Sequence, residues 1–173
     1  MMYKTHIVFA LFFYLLIALI FNLSKEFYIL LLISIAALLP DIDSSKSYIN
    51  RLFSPGKILA KISKHRGFWH SVFGLLLIFL ISLILFKLLS INLLLSFYVA
   101  FGYLMHLIAD SLTVSGIRPF WKFSNTEIKG KIKTDTAVEY GLFFVLLLLI
   151  AFLLKPQLLS KSKDLLTSFF IKH

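Results

Sequence analysis

Cysteine is absent from the 173 residues, which excludes thiol catalysis, zinc–thiolate sites, iron–sulfur clusters and a disulfide framework. Charge is scarce: Asp, Glu, Lys and Arg make up 15% of the chain, against roughly 25% in a soluble domain. Glycine and proline are sparse as well, with 7 and 4 residues, which excludes collagen-like repeats and Pro/Gly-rich disorder. What fills the chain is apolar: 60% of the residues, 19 of them Phe. A water-soluble fold of this length has too little interior for that much apolar surface. Its Leu and Ile runs also exceed what a buried core helix needs. The composition is that of an integral membrane protein.

Five apolar segments are legible, at about residues 6–23, 27–39, 68–86, 91–112 and 137–154. The first resembles a signal peptide in position, but no small-residue cleavage site follows it and four more apolar segments do. The second is short, and Pro40 stops it by pushing the preceding residue out of the α region. It therefore either leans on Lys25 and Glu26 at its start or re-enters without crossing. Beyond Pro156, Leu158, Leu159, Leu165, Leu166, Phe169 and Phe170 alternate with Lys161, Lys163, Asp164 and Lys172, the pattern of an amphipathic interfacial helix. The expected fold is all-α and polytopic. About five transmembrane or re-entrant helices form a membrane-embedded domain over residues 1–156, followed by an amphipathic tail over 157–173.

The net charge of +10 has a topological explanation. Lys4 and the polar stretches 41–66 and 113–136 hold most of the basic residues, whereas Lys25 and Lys87 alone lie in the other two connections. Positive residues favour the cytoplasmic side, which places the N-terminus there. The lysines after the fifth segment run mildly against this bias. Nothing resembles a recognition helix or a base-stacking platform, so the charge points to anionic headgroups and not to nucleic acid.

On this map the groups able to carry chemistry fall at one membrane face. His6 opens the first segment, Asp41 and Asp43 follow the second, and His65 and His70 precede or open the third. His106 and Asp110 lie near the end of the fourth, and Glu139 opens the fifth. Four of the 5 histidines thus gather at one side, and imidazole with carboxylate suits a divalent ion such as zinc or manganese. His106 and Asp110 are four apart, so they project from one helix face inside an apolar span, where ionisable groups are expensive and functional. Bland roles compete elsewhere. His6 would serve as an interfacial polar group and Asp41 and Asp43 as loop caps. His65 would be simply solvated, His70-Ser71 would cap the third segment, and Thr136-Ala-Val-Glu139 reads as a capping box. Arg66 and Arg118 suit either phosphate or positive-inside anchoring.

Several strings occur in order: Thr5-His6, Leu39-Pro-Asp-Ile-Asp43, His65-Arg-Gly-Phe-Trp-His70-Ser71, Gly102-Tyr-Leu-Met-His106-Leu-Ile-Ala-Asp110 and Gly116-Ile-Arg-Pro-Phe-Trp121. Together, over about residues 5–141, they resemble the YdjM-like family of inner-membrane metal-dependent hydrolases, some members of which carry a LexA-binding or LexA-regulated label. The resemblance implies metal and catalytic roles for His6, Asp41, Asp43, His65, His70, His106, Asp110 and Glu139. Trp69 stands where the family has Thr, and Lys122 where proline often follows the Trp, which puts substrate access in question.

The expectation is a metal-dependent hydrolase holding one or two divalent ions at the cytoplasmic membrane face. Asp43 or Glu139 is the expected general base, with Arg66 as the phosphate-side catalytic group. Basic residues Lys64, Arg66, Arg118 and Lys122 near the face suggest an anionic, amphiphilic phosphoester among the membrane lipids, and further copies of the chain are an additional partner to consider. Two alternatives use the same residues differently. A divalent-cation transporter or metal sensor would need polar groups through the span centres, which read as Leu, Ile and Phe. A scaffold binding a cytosolic regulator leaves the ligand clustering unexplained.

Overall fold

The computed structural model describes residues 1–43, 67–121 and 123–171. Five α-helices carry the fold: α1 (Tyr3–Ile20), α2 (Phe27–Ala36), α3 (Val72–Leu88), α4 (Leu95–Ser111) and α5 (Ala137–Ile171). Two 3₁₀ turns, Leu39–Asp43 and Phe68–His70, follow α2 and precede α3. There is no strand among the described residues; two isolated bridges, Thr113 with Ile132 and Ile117 with Ile128, tie the polar stretch between α4 and α5. The all-α expectation therefore holds.

Local chemistry places the helix ends. α1 closes at Phe21, and Asn22 takes a left-handed φ of 51°, which Asn tolerates better than most residues. Ser71 caps α3, with its Oγ accepting from the Gly74 N–H at a long 3.4 Å. The cap is thus Ser71 alone, and the His70 ring is left for other work. α3 ends before Ser90, which is again left-handed.

α1 and the Ala137–Lys155 portion of α5 are long and apolar enough to cross a membrane. α3 is apolar and slightly shorter, and α2, with 10 residues, reaches about 15 Å, half a hydrocarbon core. α5 continues without a break through Pro156, where the sequence pattern divides the chain. The side-chain arrangement of the 157–173 tail lies outside the described residues. On α3, Leu76, Leu80, Ile84 and Leu88 recur every fourth residue and are exposed, as on α5 are Phe144, Leu148 and Phe152. Such stripes suit contact with lipid.

α4 is the hub. It packs on α2, α3 and α1, while α1 also packs along α5. The core between them is built from Phe9, Tyr14, Ile29, Ile33, Met105, Ala109 and Leu146. Gly102 lets α4 approach α2: a Cβ there would lie 2.5 Å from the Ile33 carbonyl oxygen and 2.8 Å from Ala36 Cβ. That approach sets the position of His106, one turn further along α4.

Candidate metal centre

The starts of α1, α3 and α5 and the ends of α2 and α4 meet at one end of the bundle. His6, His70, His106 and Asp110 come together there, all buried, with Asp41 beside them. Four of their atoms form a closed ring in which imidazole and carboxylate alternate. His70 Nε2 lies 3.5 Å from Asp41 Oδ1 and 3.6 Å from Asp110 Oδ2. His106 Nε2 lies 3.9 Å and 3.8 Å from the same two oxygens. Ligand atoms about 2.0–2.2 Å from one tetrahedral ion stand roughly 3.3–3.6 Å from each other. These four edges are near that length, wider by a few tenths of an ångström on the His106 side, and the groups that close around a common point are two triads that share His106.

His106 is oriented for this task. Its Nδ1 lies 2.7 Å from the Ala37 carbonyl oxygen, so Nδ1 carries the proton and Nε2 turns its lone pair into the ring. That Nε2 has no hydrogen-bond partner among the described residues, and neither does Nδ1 of His6. A buried nitrogen without a partner is costly unless a cation takes its lone pair. His6 approaches from α1, with Nε2 3.3 Å from Asp110 Oδ1, and its ring stacks on His106 with centroids 3.7 Å apart. Asp110 thus faces His6 with one oxygen and the ring with the other. The Met1 ammonium also donates to Asp110 Oδ1, at 2.6 Å. Two ligand triads share His106: His6, His106 and Asp110, and Asp41, His70 and His106. The Asp41 side chain is 24% exposed and the other members are almost wholly buried, so Asp41 is the least enclosed of them.

The supporting shell holds the turns in place. The Tyr103 hydroxyl donates to the Trp69 carbonyl and ties α4 to the turn that carries His70. Val72 N–H donates to the Pro119 carbonyl at 3.0 Å, and Phe68 meets Trp121 edge-on, so the polar stretch after α4 covers this turn.

Glu139 is fully buried, but its carboxylate is directed at backbone. Oε1 accepts from Met2 N–H at 2.6 Å and Oε2 from Asp135 N–H at 2.8 Å. The capping box expected from Thr136-Ala-Val-Glu139 is thus displaced by one residue. The acceptor carboxylate meets Asp135, and the Thr136 hydroxyl donates instead to the Lys133 carbonyl. Arg118 donates from Nε to Glu127 at 2.6 Å, and Lys129 pairs with the same carboxylate. Those hydrogen bonds, from Lys129 and then Arg118, hold the exposed Glu127 carboxyl below its ordinary value. Asp43 closes the 3₁₀ turn that carries Asp41, and its carboxylate lies outside the described residues, as do His65, Arg66, Lys64 and Lys122.

Sequence reasoning missed the Ala37 carbonyl and gave no role to Gly102 and Tyr103, which it quoted only as part of a string. A small residue four places before His106, and the pair Ala36-Ala37 ahead of the Pro40 stop, were the available signals of a close α4–α2 contact. A family model described as YdjM inner membrane protein matches residues 1–171. No curated protein and no solved structure matches the chain.

Proposed function

The chain belongs to the YdjM family of inner membrane proteins, and from that premise and the His/Asp ring we propose that it is a membrane-embedded, metal-dependent hydrolase. The observation that carries this is the alternating quartet of Asp41, His70, His106 and Asp110, with the His106 tautomer fixed by the Ala37 carbonyl. Two imidazoles and two carboxylates without thiolate suit zinc or manganese in a hydrolytic setting. The chemistry such an ion supplies when bound is Lewis acidity toward water and toward a phosphoester oxygen.

The chain's own groups divide the remaining work. His70 and His106 would hold the ion through ring nitrogens, and Asp41 and Asp110 would balance its charge. His6 backs Asp110 from its other oxygen, the arrangement in which an outer residue orients a ligand. Asp43, two residues from Asp41 and on its turn, is the group assigned to accept the proton of the attacking water. Glu139, with both oxygens on backbone N–H groups, locks the starts of α1 and α5 against each other beside the ring. Arg66 and Lys64 are assigned to the substrate's anionic group, because Arg118 is already paired with Glu127. The cytoplasmic membrane face, an apolar surround and these cations together favour an amphiphilic phosphoester as substrate.

A transporter would need polar groups through the span centres. Ser34 and Ser82, which lie there, spend their hydroxyls on carbonyls of their own helices, Leu30 and Phe79.

The test is hydrolysis of lipid phosphoesters by purified protein in detergent micelles, with and without added zinc or manganese. Release of product that requires the ion, and that Asp41→Asn and His70→Gln both abolish, is expected. Metal-independent release, or none with any phosphoester while the ion is bound, contradicts the proposal.

A further inference from the structure

At the starts of α1 and α5 lies a cavity of ≈ 420 Å³ lined by Met2, Tyr3, Lys4, Tyr140, Phe143 and Phe144. That volume is in the range of a small-molecule site. The cavity is graded along the helices. Tyr3, Lys4 and Tyr140 stand in the first turns of α1 and α5, where the polar connections begin. Phe143 and Phe144 stand about one turn deeper, within the apolar span. The Tyr140 hydroxyl is engaged, donating to Asp135 Oδ1 at 2.9 Å. Of the lining residues Lys4 alone is cationic, and its Nζ stands over the Tyr3 ring, 5.9 Å from the centroid.

The same two helices also carry His6 and Glu139, which flank the ring. Lys4 precedes His6 by half a turn, and Tyr140 follows Glu139 directly. Met2 lines the cavity while its N–H donates to Glu139.

We propose that this cavity seats an anionic phospholipid of the surrounding bilayer. Its phosphate lies against the Lys4 ammonium, and the first methylenes of an acyl chain lie against Phe143 and Phe144. A lone cation at the polar end matches one phosphate, and the two Phe match a chain that starts there. A lysine and tyrosines at the end of a span are groups that suit the headgroup level. Phe143 and Phe144 have nothing to offer free inorganic phosphate, so the ligand is the lipid and not its headgroup alone. That the seated lipid is also the substrate rests on the hydrolase function proposed above; occupancy of the cavity does not.

The experiment uses the full chain in nanodiscs of equal phosphatidylglycerol and phosphatidylcholine, treated with chelator so that no turnover occurs. Lipid retained after transfer to detergent is read by native mass spectrometry. One phosphatidylglycerol per chain is expected, preferred over phosphatidylcholine. Lys4→Gln should lower the preference by about fivefold, the scale of one lysine at an anionic surface. Phe144→Asn should lower retention of both lipids, and Lys87→Gln, at the far end of α3, should change neither. Both Lys4 and Phe144 are exposed, so the variants should fold, and equal circular dichroism checks this. Equal retention of the two lipids by the parent overturns the proposal, as does a preference that survives Lys4→Gln. So does a lipid-free dimer, which would assign the cavity to a second copy. Equal retention of the two lipids by the parent, with metal-dependent hydrolysis intact, removes this seat alone; preferential retention without hydrolysis removes the enzyme reading alone.

Discussion

The imidazole rings of His6 and His106 lie face to face, 3.7 Å apart and 10° from parallel, although one comes from the first helix and the other from the fourth. Asp110 joins them, with Oδ1 3.3 Å from His6 Nε2 and Oδ2 3.8 Å from His106 Nε2. His106 belongs to both ligand triads, whereas His6 belongs to one and stands outside the four-atom ring. The two histidines should therefore respond differently to removal. His6→Ala should weaken ion affinity by about 10–100-fold, the effect of losing an outer partner. His106→Ala should remove binding altogether. Titration of each variant with zinc against a competing chelator checks this, and equal losses would place His6 on the ion directly.

Glu139→Gln separates a backbone lock from a chemical group. Both carboxylate oxygens accept N–H groups, from Met2 and Asp135. A glutamine amide offers one acceptor and sets an N–H₂ against the other donor. The expected loss is about 1–3 kcal/mol, the cost of a buried hydrogen bond to a charged group left unmet. Thermal unfolding in micelles should show it. If stability is unchanged and only turnover falls, Glu139 is a proton acceptor and the lock is incidental.

Gly102→Ala tests how the hub places the ring. Its new Cβ would meet the Ile33 carbonyl at 2.5 Å, so α4 must back away from α2 and draw His106 Nδ1 from the Ala37 carbonyl. A stability loss of about 1–3 kcal/mol from overpacking should come with a loss of ion affinity. Full ion affinity in a stable Gly102→Ala protein would show that the Ala37 contact is dispensable.

Much of this was legible in the chain itself. His106 and Asp110 stood out because two ionisable groups four apart inside an apolar run have one helix face to share. Asp41 was marked by the Pro40 stop, and His70 by its place at the start of the third segment, on the face that His6, His106 and Asp110 share. Other features depend on how helices approach each other, which no single segment encodes. The Ala37 carbonyl became a partner of His106 only through the Gly102 contact. Glu139 carries a capping signature, yet its second oxygen is taken by Met2, far away in sequence. The division at Pro156 is compositional, and the helix runs on through it despite the N–H bond that proline removes.

Orientation is a separate prediction. Reporters fused after Lys61 and after Lys131 should both be cytoplasmic, and reporters near Lys25 and Lys87 external. Asp41, His70 and Asp110 meet at one end of the bundle, so the two polar stretches must share a side. Labelling of the two stretches from opposite sides would contradict this.

The central claim is that the His/Asp ring holds a divalent ion, and the most direct measurement is the metal content per chain of protein purified without chelator. About one zinc or manganese ion per chain is expected in the parent and in Asp135→Asn, which lies outside the ring. Little or none is expected in His106→Gln, whose amide can still donate to the Ala37 carbonyl but cannot replace the imidazole lone pair. A metal-free parent that takes up no added ion, or a His106→Gln protein with full metal content, would contradict the account.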